Sequence, residues 1–77
     1  MTQAIETLTH NVKIKYPHLL EDGVTIVDYF FINCDNREEL PVKKFGEVKQ
    51  FLDFNKIKNF ALVILFSNNI IGYRLEV

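Results

Sequence analysis

Apolar and polar positions alternate along this chain in a succession of patterned stretches. Ile5, Leu8, Val12 and Tyr16 recur at spacings of three and four, which is one stripe of an amphipathic helix over residues 3–16. Thr2 is placed to cap that helix, and Pro17 drives Tyr16 out of the helical region and ends it. Within the same segment, residues 11–16 also alternate strictly between polar and apolar, as a half-buried strand does. The stripe is longer than the alternation, so the pattern favours helix.

Glu21-Asp22-Gly23 reads as a turn. Residues 24–34, VTIVDYFFINC, are rich in β-branched and aromatic types and lack Gly and Pro, which predicts a strand. Asp35-Asn36 suits a tight hairpin turn because both residues tolerate a positive φ, and the return strand is then 37–42. Pro41 has no amide hydrogen, which places that strand at a sheet edge. A helix capped by Asn36 and Glu39 would hold Pro41 in its second turn at a cost of about 3 kcal/mol, so the hairpin is preferred.

From Lys44 to Lys56 the period becomes helical. Phe45, Val48, Phe51 and Leu52 fall within an arc of roughly 120°. Gly46 weakens this helix by about 1 kcal/mol, and Lys43 and Lys44 stand at the end its dipole disfavours. Residues 60–66 and 70–77 then form strands joined by Ser67-Asn68-Asn69. The second alternates, with Ile71, Tyr73, Leu75 and Val77 opposing Ile70, Gly72, Arg74 and Glu76. The first is apolar on both sides, Phe60, Leu62, Ile64 and Phe66 against Ala61, Val63 and Leu65. Residues 24–34 share that property, Val24, Ile26, Phe30, Ile32 and Cys34 opposing Val27, Tyr29 and Phe31.

These elements predict a small two-layer α+β domain over residues 1–77. It has an antiparallel sheet of about four strands in two hairpins, an N-terminal helix and a central helix. A strand apolar on both faces is normally covered on both, and two short helices are too little cover for four strands. The expected remedy is a second subunit, giving an obligate or strong homodimer, or else a tightly held protein partner. The residues expected at that interface are Ala61, Val63, Leu65, Val27, Tyr29, Phe31, Ile71 and Tyr73. The C-terminal strand is a second docking candidate, as a sheet edge that a partner strand can extend.

Size sharpens this expectation. A chain of 77 residues buries only about 60–65% of its unfolded surface, and a single cysteine, Cys34, forms no internal disulfide. With 48% hydrophobic and 25% charged residues the composition is globular. A net charge of −1 supplies no basic field for nucleic acid or anionic lipid. The first residues lack the pattern of a signal peptide, and the longest apolar run falls far short of the ~20 residues of a membrane span. With a lone cysteine, this points to the cytoplasm.

Chemistry-bearing motifs are sparse. His10 and His18 lie eight positions apart and Cys34 has no cysteine partner, which is not the close ligand spacing of a zinc site. Cys34 ends an apolar strand, where a thiol normally acts as a small buried hydrophobe. Glu21-Asp22 and Glu38-Glu39 fall in or beside turns, where they are hydrated. The chain is therefore expected to be non-enzymatic, with no cofactor, no metal and no evident small-molecule substrate. Its expected role is that of a protein-binding module, an adaptor, regulator or inhibitor. The alternative is single-stranded nucleic-acid binding, with Tyr29 as the stacking platform and Lys13, Lys15, Lys43 and Lys44 along the backbone groove. Against it, Glu47 and Asp53 are spaced to neutralise Lys43 and Lys49 as i,i+4 pairs.

Overall fold

Two helices pack on one face of a four-stranded antiparallel sheet in the computed structural model, which describes residues 2–73 and the side chains of residues 4–73. The chain runs α1 (Thr2–Lys15), a 3₁₀ segment (Pro17–Gly23), β1 (Ile26–Asn33), β2 (Glu38–Glu39), α2 (Phe45–Phe54), β3 (Phe60–Phe66) and β4 (Ile71–Tyr73). The strand order is β2-β1-β3-β4, so each hairpin supplies one edge and one central strand. The α+β architecture is the expected one. The side chain of Thr2, the expected cap, is not among those described, and the stretch 74–77 of the expected last strand lies outside the described residues.

The stripe on α1 is used as its period requires. Leu8 and Val12 are fully buried, with Ile5 and Tyr16 packed at the margin of the core. Tyr16 leaves helical geometry at φ −135°, as a residue before proline must. The strand-like alternation of residues 11–16 is overridden because the helix buries more apolar surface. Asp22 and Gly23, both at positive φ, turn the chain into β1.

The first hairpin differs from expectation in its turn. The left-handed residue is Arg37 (φ 61°), and the loop runs Cys34–Arg37. The amide of Asp35 donates to Asn33 Oδ1 (2.9 Å), and that of Glu38 to Asn36 Oδ1 (3.0 Å). These side-chain acceptors stabilise a four-residue loop over a two-residue turn. The β2 ladder is consequently shorter than the expected 37–42. Pro41 ends it, and β2 is an edge strand as a proline there demands. Leu40 and Val42, on either side of Pro41, turn inward and are buried.

A β-bulge in β1 shifts the register between Ile26 and Asp28. Beyond it Ile26 pairs with Phe66, and it joins Tyr29 and Phe31 in the helix-covered core. The expected grouping of Ile26 with Phe30 and Ile32 is thus corrected, because one extra residue exchanges the faces of everything on its far side. The covered core comprises Leu8 and Val12 of α1, Val48 and Leu52 of α2, Leu40, Val42, and the inner positions of β1 and β3. Phe45 closes one end. Its ring stacks on Tyr29 (centroids 5.4 Å) and meets Phe31 edge-on (5.5 Å).

Candidate functional site: the open face of the sheet

Helices on one side leave the other side of the sheet uncovered by any described element. Directly opposed residues of an antiparallel pair share a face, so the register identifies what that side carries. One cross-strand row is Phe30–Val63–Tyr73, a second holds Leu65 and Ile71 beside the bulge, and a third pairs Ile32 with Ala61. Val63 is 2% exposed although no helix touches it, because Phe30 and Tyr73 flank it on the same face. The flanking residues are more open, Tyr73 at 60% and Val27 at 58%.

Of the residues expected at an interface, Ala61, Val63, Leu65, Ile71 and Tyr73 lie together on this open face. Val27, set aside by the bulge, lines a shallow groove with Leu65 and Ile71. Tyr29 and Phe31 do not belong there. Both are 5% exposed and face the helices, and the open-face positions of β1 are Phe30 and Ile32. The physical reason is parity: neighbours in a strand point to opposite sides, and α2 covers the side that holds Tyr29 and Phe31.

Phe30, Ile32, Ala61, Val63 and Tyr73 line a groove of about 500 Å³, with Cys34 and Arg37 at one end. Cys34 is half-buried and reduced. The β2 margin carries charge. Glu39 opposes Ile32 and so shares the open face, and Asp28 pairs with Lys43 at 3.0 Å. The Lys43 ammonium and the Tyr29 amide hold the Asp28 carboxyl below the usual range. The same contact, aided by Glu39, raises Lys43. Lys43 therefore pairs with Asp28 across the fold, not with Glu47 along α2. Among the described residues this is the ion pair within 4.0 Å. Lys49 and Asp53 line a second apolar groove on the helix side, beside Phe45 and Phe60, without pairing to each other.

The other candidates are scattered. His10 is exposed on α1, and His18 is exposed within the 3₁₀ segment. Among the described residues no three His, Cys, Asp or Glu side chains are grouped so as to hold a metal ion. Lys13 and Lys15 are exposed in the last turn of α1, and Lys43 and Lys44 are exposed ahead of α2. Tyr29, their proposed stacking partner, is unavailable to a base, with its ring on Phe45 and its hydroxyl donating to the Lys43 carbonyl (3.1 Å). Among the described residues no helix is long and apolar enough to cross a membrane.

Besides Phe30 and Ile32, pattern reading misses Arg37 as a groove residue. Its place depends on a loop whose length follows from side-chain acceptors at Asn33 and Asn36, and no periodicity reveals that. No protein-family model, curated protein or solved structure matches the chain.

Proposed function

We propose that this chain is a small protein-binding module, acting as an adaptor, regulator or inhibitor, that self-associates through the open face of its sheet. The observation that carries this reading is that both helices pack on the same side. The apolar second side of β1 and β3 is thereby left without cover from the rest of the described chain. The central rows of this face are apolar and its charges (Asp28, Arg37, Glu39) lie toward its margin, an arrangement compatible with self-association about a two-fold axis, and a net charge of −1 sets little repulsion between copies. Four strands about 4.8 Å apart, with central strands about 23 Å long, give a footprint on the order of 400 Å² per copy. Two such footprints fall below the roughly 1,000 Å² of total area expected of a stable interface, so the dimer is weak, reversible and concentration-dependent.

A reducing compartment such as the cytoplasm fits this arrangement, since Cys34 at the margin of the face would cross-link copies under oxidation. Light scattering across a dilution series, in low and then high salt, tests the reading. An apolar interface persists in high salt, where an electrostatic one weakens. Replacing Val63 and Leu65 together by Asp leaves a folded monomer. A mass that is monomeric at every concentration, or unchanged by the double substitution, overturns the proposal.

A further inference from the structure

The groove on the open face has an asymmetry that dimerisation does not use. Its lining is mixed, with the apolar side chains of Phe30, Ile32, Ala61 and Val63 beside Tyr73, and one end carries Arg37. A volume of about 500 Å³ lies within the ordinary range of small-molecule sites. Of the carboxylates along that margin, Asp28 is bound by Lys43. Asp35 accepts from Asn59 Nδ2 (3.3 Å), and Glu38 accepts from Asn36 Nδ2 (3.5 Å). Among the described residues the Arg37 side chain has no hydrogen bond and no ion pair. Its backbone is fixed nonetheless, with its amide donating to the Asn33 carbonyl (2.7 Å). Among the described residues the result is a partly apolar trough with an exposed, unpaired guanidinium at one end.

We propose that this groove is a binding site for a small amphiphilic monocarboxylate, an aliphatic or aryl chain lying along Phe30, Val63 and Tyr73 with its carboxylate on Arg37. A planar guanidinium matches a carboxylate in two parallel hydrogen bonds, which an ammonium does not. The apolar body supplies most of the affinity, and the exposed ion pair selects the head group. The described lining residues all belong to one chain, so the site does not require dimerisation. Where dimers form, ligand and second copy compete for the same rows, so the carboxylate favours the monomer.

Cys34, the chain's single cysteine, lines the same end of the groove and serves as the reporter. Its alkylation by neutral iodoacetamide is followed in the presence of sodium decanoate or of decyltrimethylammonium, which has the same tail and the opposite charge. Decanoate is expected to slow alkylation several-fold, and the cationic probe to leave it unchanged below its micelle concentration. Arg37→Gln raises the decanoate concentration for half-protection about fivefold, the scale of one exposed ion pair. Ala61→Phe fills the floor and abolishes protection while circular dichroism remains that of the folded chain. Equal protection by both probes, no protection, or an Arg37→Gln chain protected as the parent is, overturns the proposal. Self-association also shields Cys34, but that shielding grows with protein concentration and is present without decanoate. The two readings therefore fail independently.

Discussion

Val63 and Ile64 are neighbours in β3, 2% and 0% exposed, and on exposure alone they are equivalent. Their surroundings differ. Ile64 faces the helices within the core that Leu8, Val12, Val48 and Leu52 complete, whereas Val63 lies on the open face, sheltered by Phe30 and Tyr73. Low exposure on the first face reports packing between layers. On the second it reports only the shadow of larger neighbours within one layer. The comparison shows that a central-strand residue can be out of reach of water and still belong to an unfinished surface.

Truncation should separate the two most strongly. Ile64→Ala empties a site enclosed on all sides and is expected to cost about 3 kcal/mol in urea unfolding. That is a large share of the total for a 77-residue chain. Val63→Ala should cost about 1 kcal/mol where the chain is monomeric, because its neighbours can relax into open space. Its cost should then rise with protein concentration, since association stabilises the folded state by mass action. A Val63→Ala cost that equals that of Ile64→Ala at every concentration would erase the distinction between the faces.

The two tyrosines sharpen the same contrast at smaller scale. Tyr29 on the covered face donates its hydroxyl to the Lys43 carbonyl, so Tyr29→Phe is expected to cost about 1 kcal/mol. Tyr73 on the open face is exposed, and Tyr73→Phe should leave monomer stability unchanged within error. Chemical denaturation of both variants at one low concentration reads the difference. An equal loss from both would mean that Tyr73 is already held by a covering group.

The bulge gives a third and smaller test. Val27 is the extra residue that lets Ile26 oppose Phe66 while Asp28 opposes Leu65. Deleting Val27 restores a regular ladder with Ile26 still on the covered face. The deletion is expected to cost less than about 1 kcal/mol, the residue being mostly exposed. It also removes an apolar side chain from the open face and should weaken self-association. Loss of folding would show that the bulge supplies a twist the sheet requires.

These tests mark how far the residue pattern alone could reach. The α+β class, the limits of β3 and the apolar doubling of β1 and β3 are all legible, because a period of two or of 3.6 is a local property. Which apolar face receives the helices is not local. Tyr29–Phe31 and Phe30–Ile32 are equally apolar as alternations, and only the landing of α2, with Phe45 over Tyr29, decides between them. The bulge is equally hidden, since Ile26-Val27-Asp28 carries no glycine to announce it. Arg37 became a groove residue through two asparagine side chains and a left-handed backbone, and the pairing of Lys43 with Asp28 spans 15 positions. The Arg37 loop is hidden in local side-chain bonds that no periodicity records, and in the other cases the missing information is a contact distant in sequence.

That last pair, at the boundary between the two faces, is where the smallest effect is expected. Both side chains are about half exposed, Lys43 at 51% and Asp28 at 48%, so water screens much of their attraction. Asp28→Asn should therefore cost no more than a few tenths of a kcal/mol near neutrality. The sign with pH is set by the shifts. Asp28 is lowered on folding, so its contribution is present above the ordinary carboxylate value of about 3.9 and disappears as pH falls through the folded value. Lys43 is raised, so its contribution is present below about 10.4 and disappears as pH rises through the folded value. The stability difference between parent and Asp28→Asn should thus form a plateau through neutral pH and vanish at both extremes. It should also shrink in 1 M salt, where the screening length falls to about 3 Å. A salt-independent difference larger than about 1 kcal/mol would mean that the pair is shielded from water, as it would be beneath a second subunit on the open face.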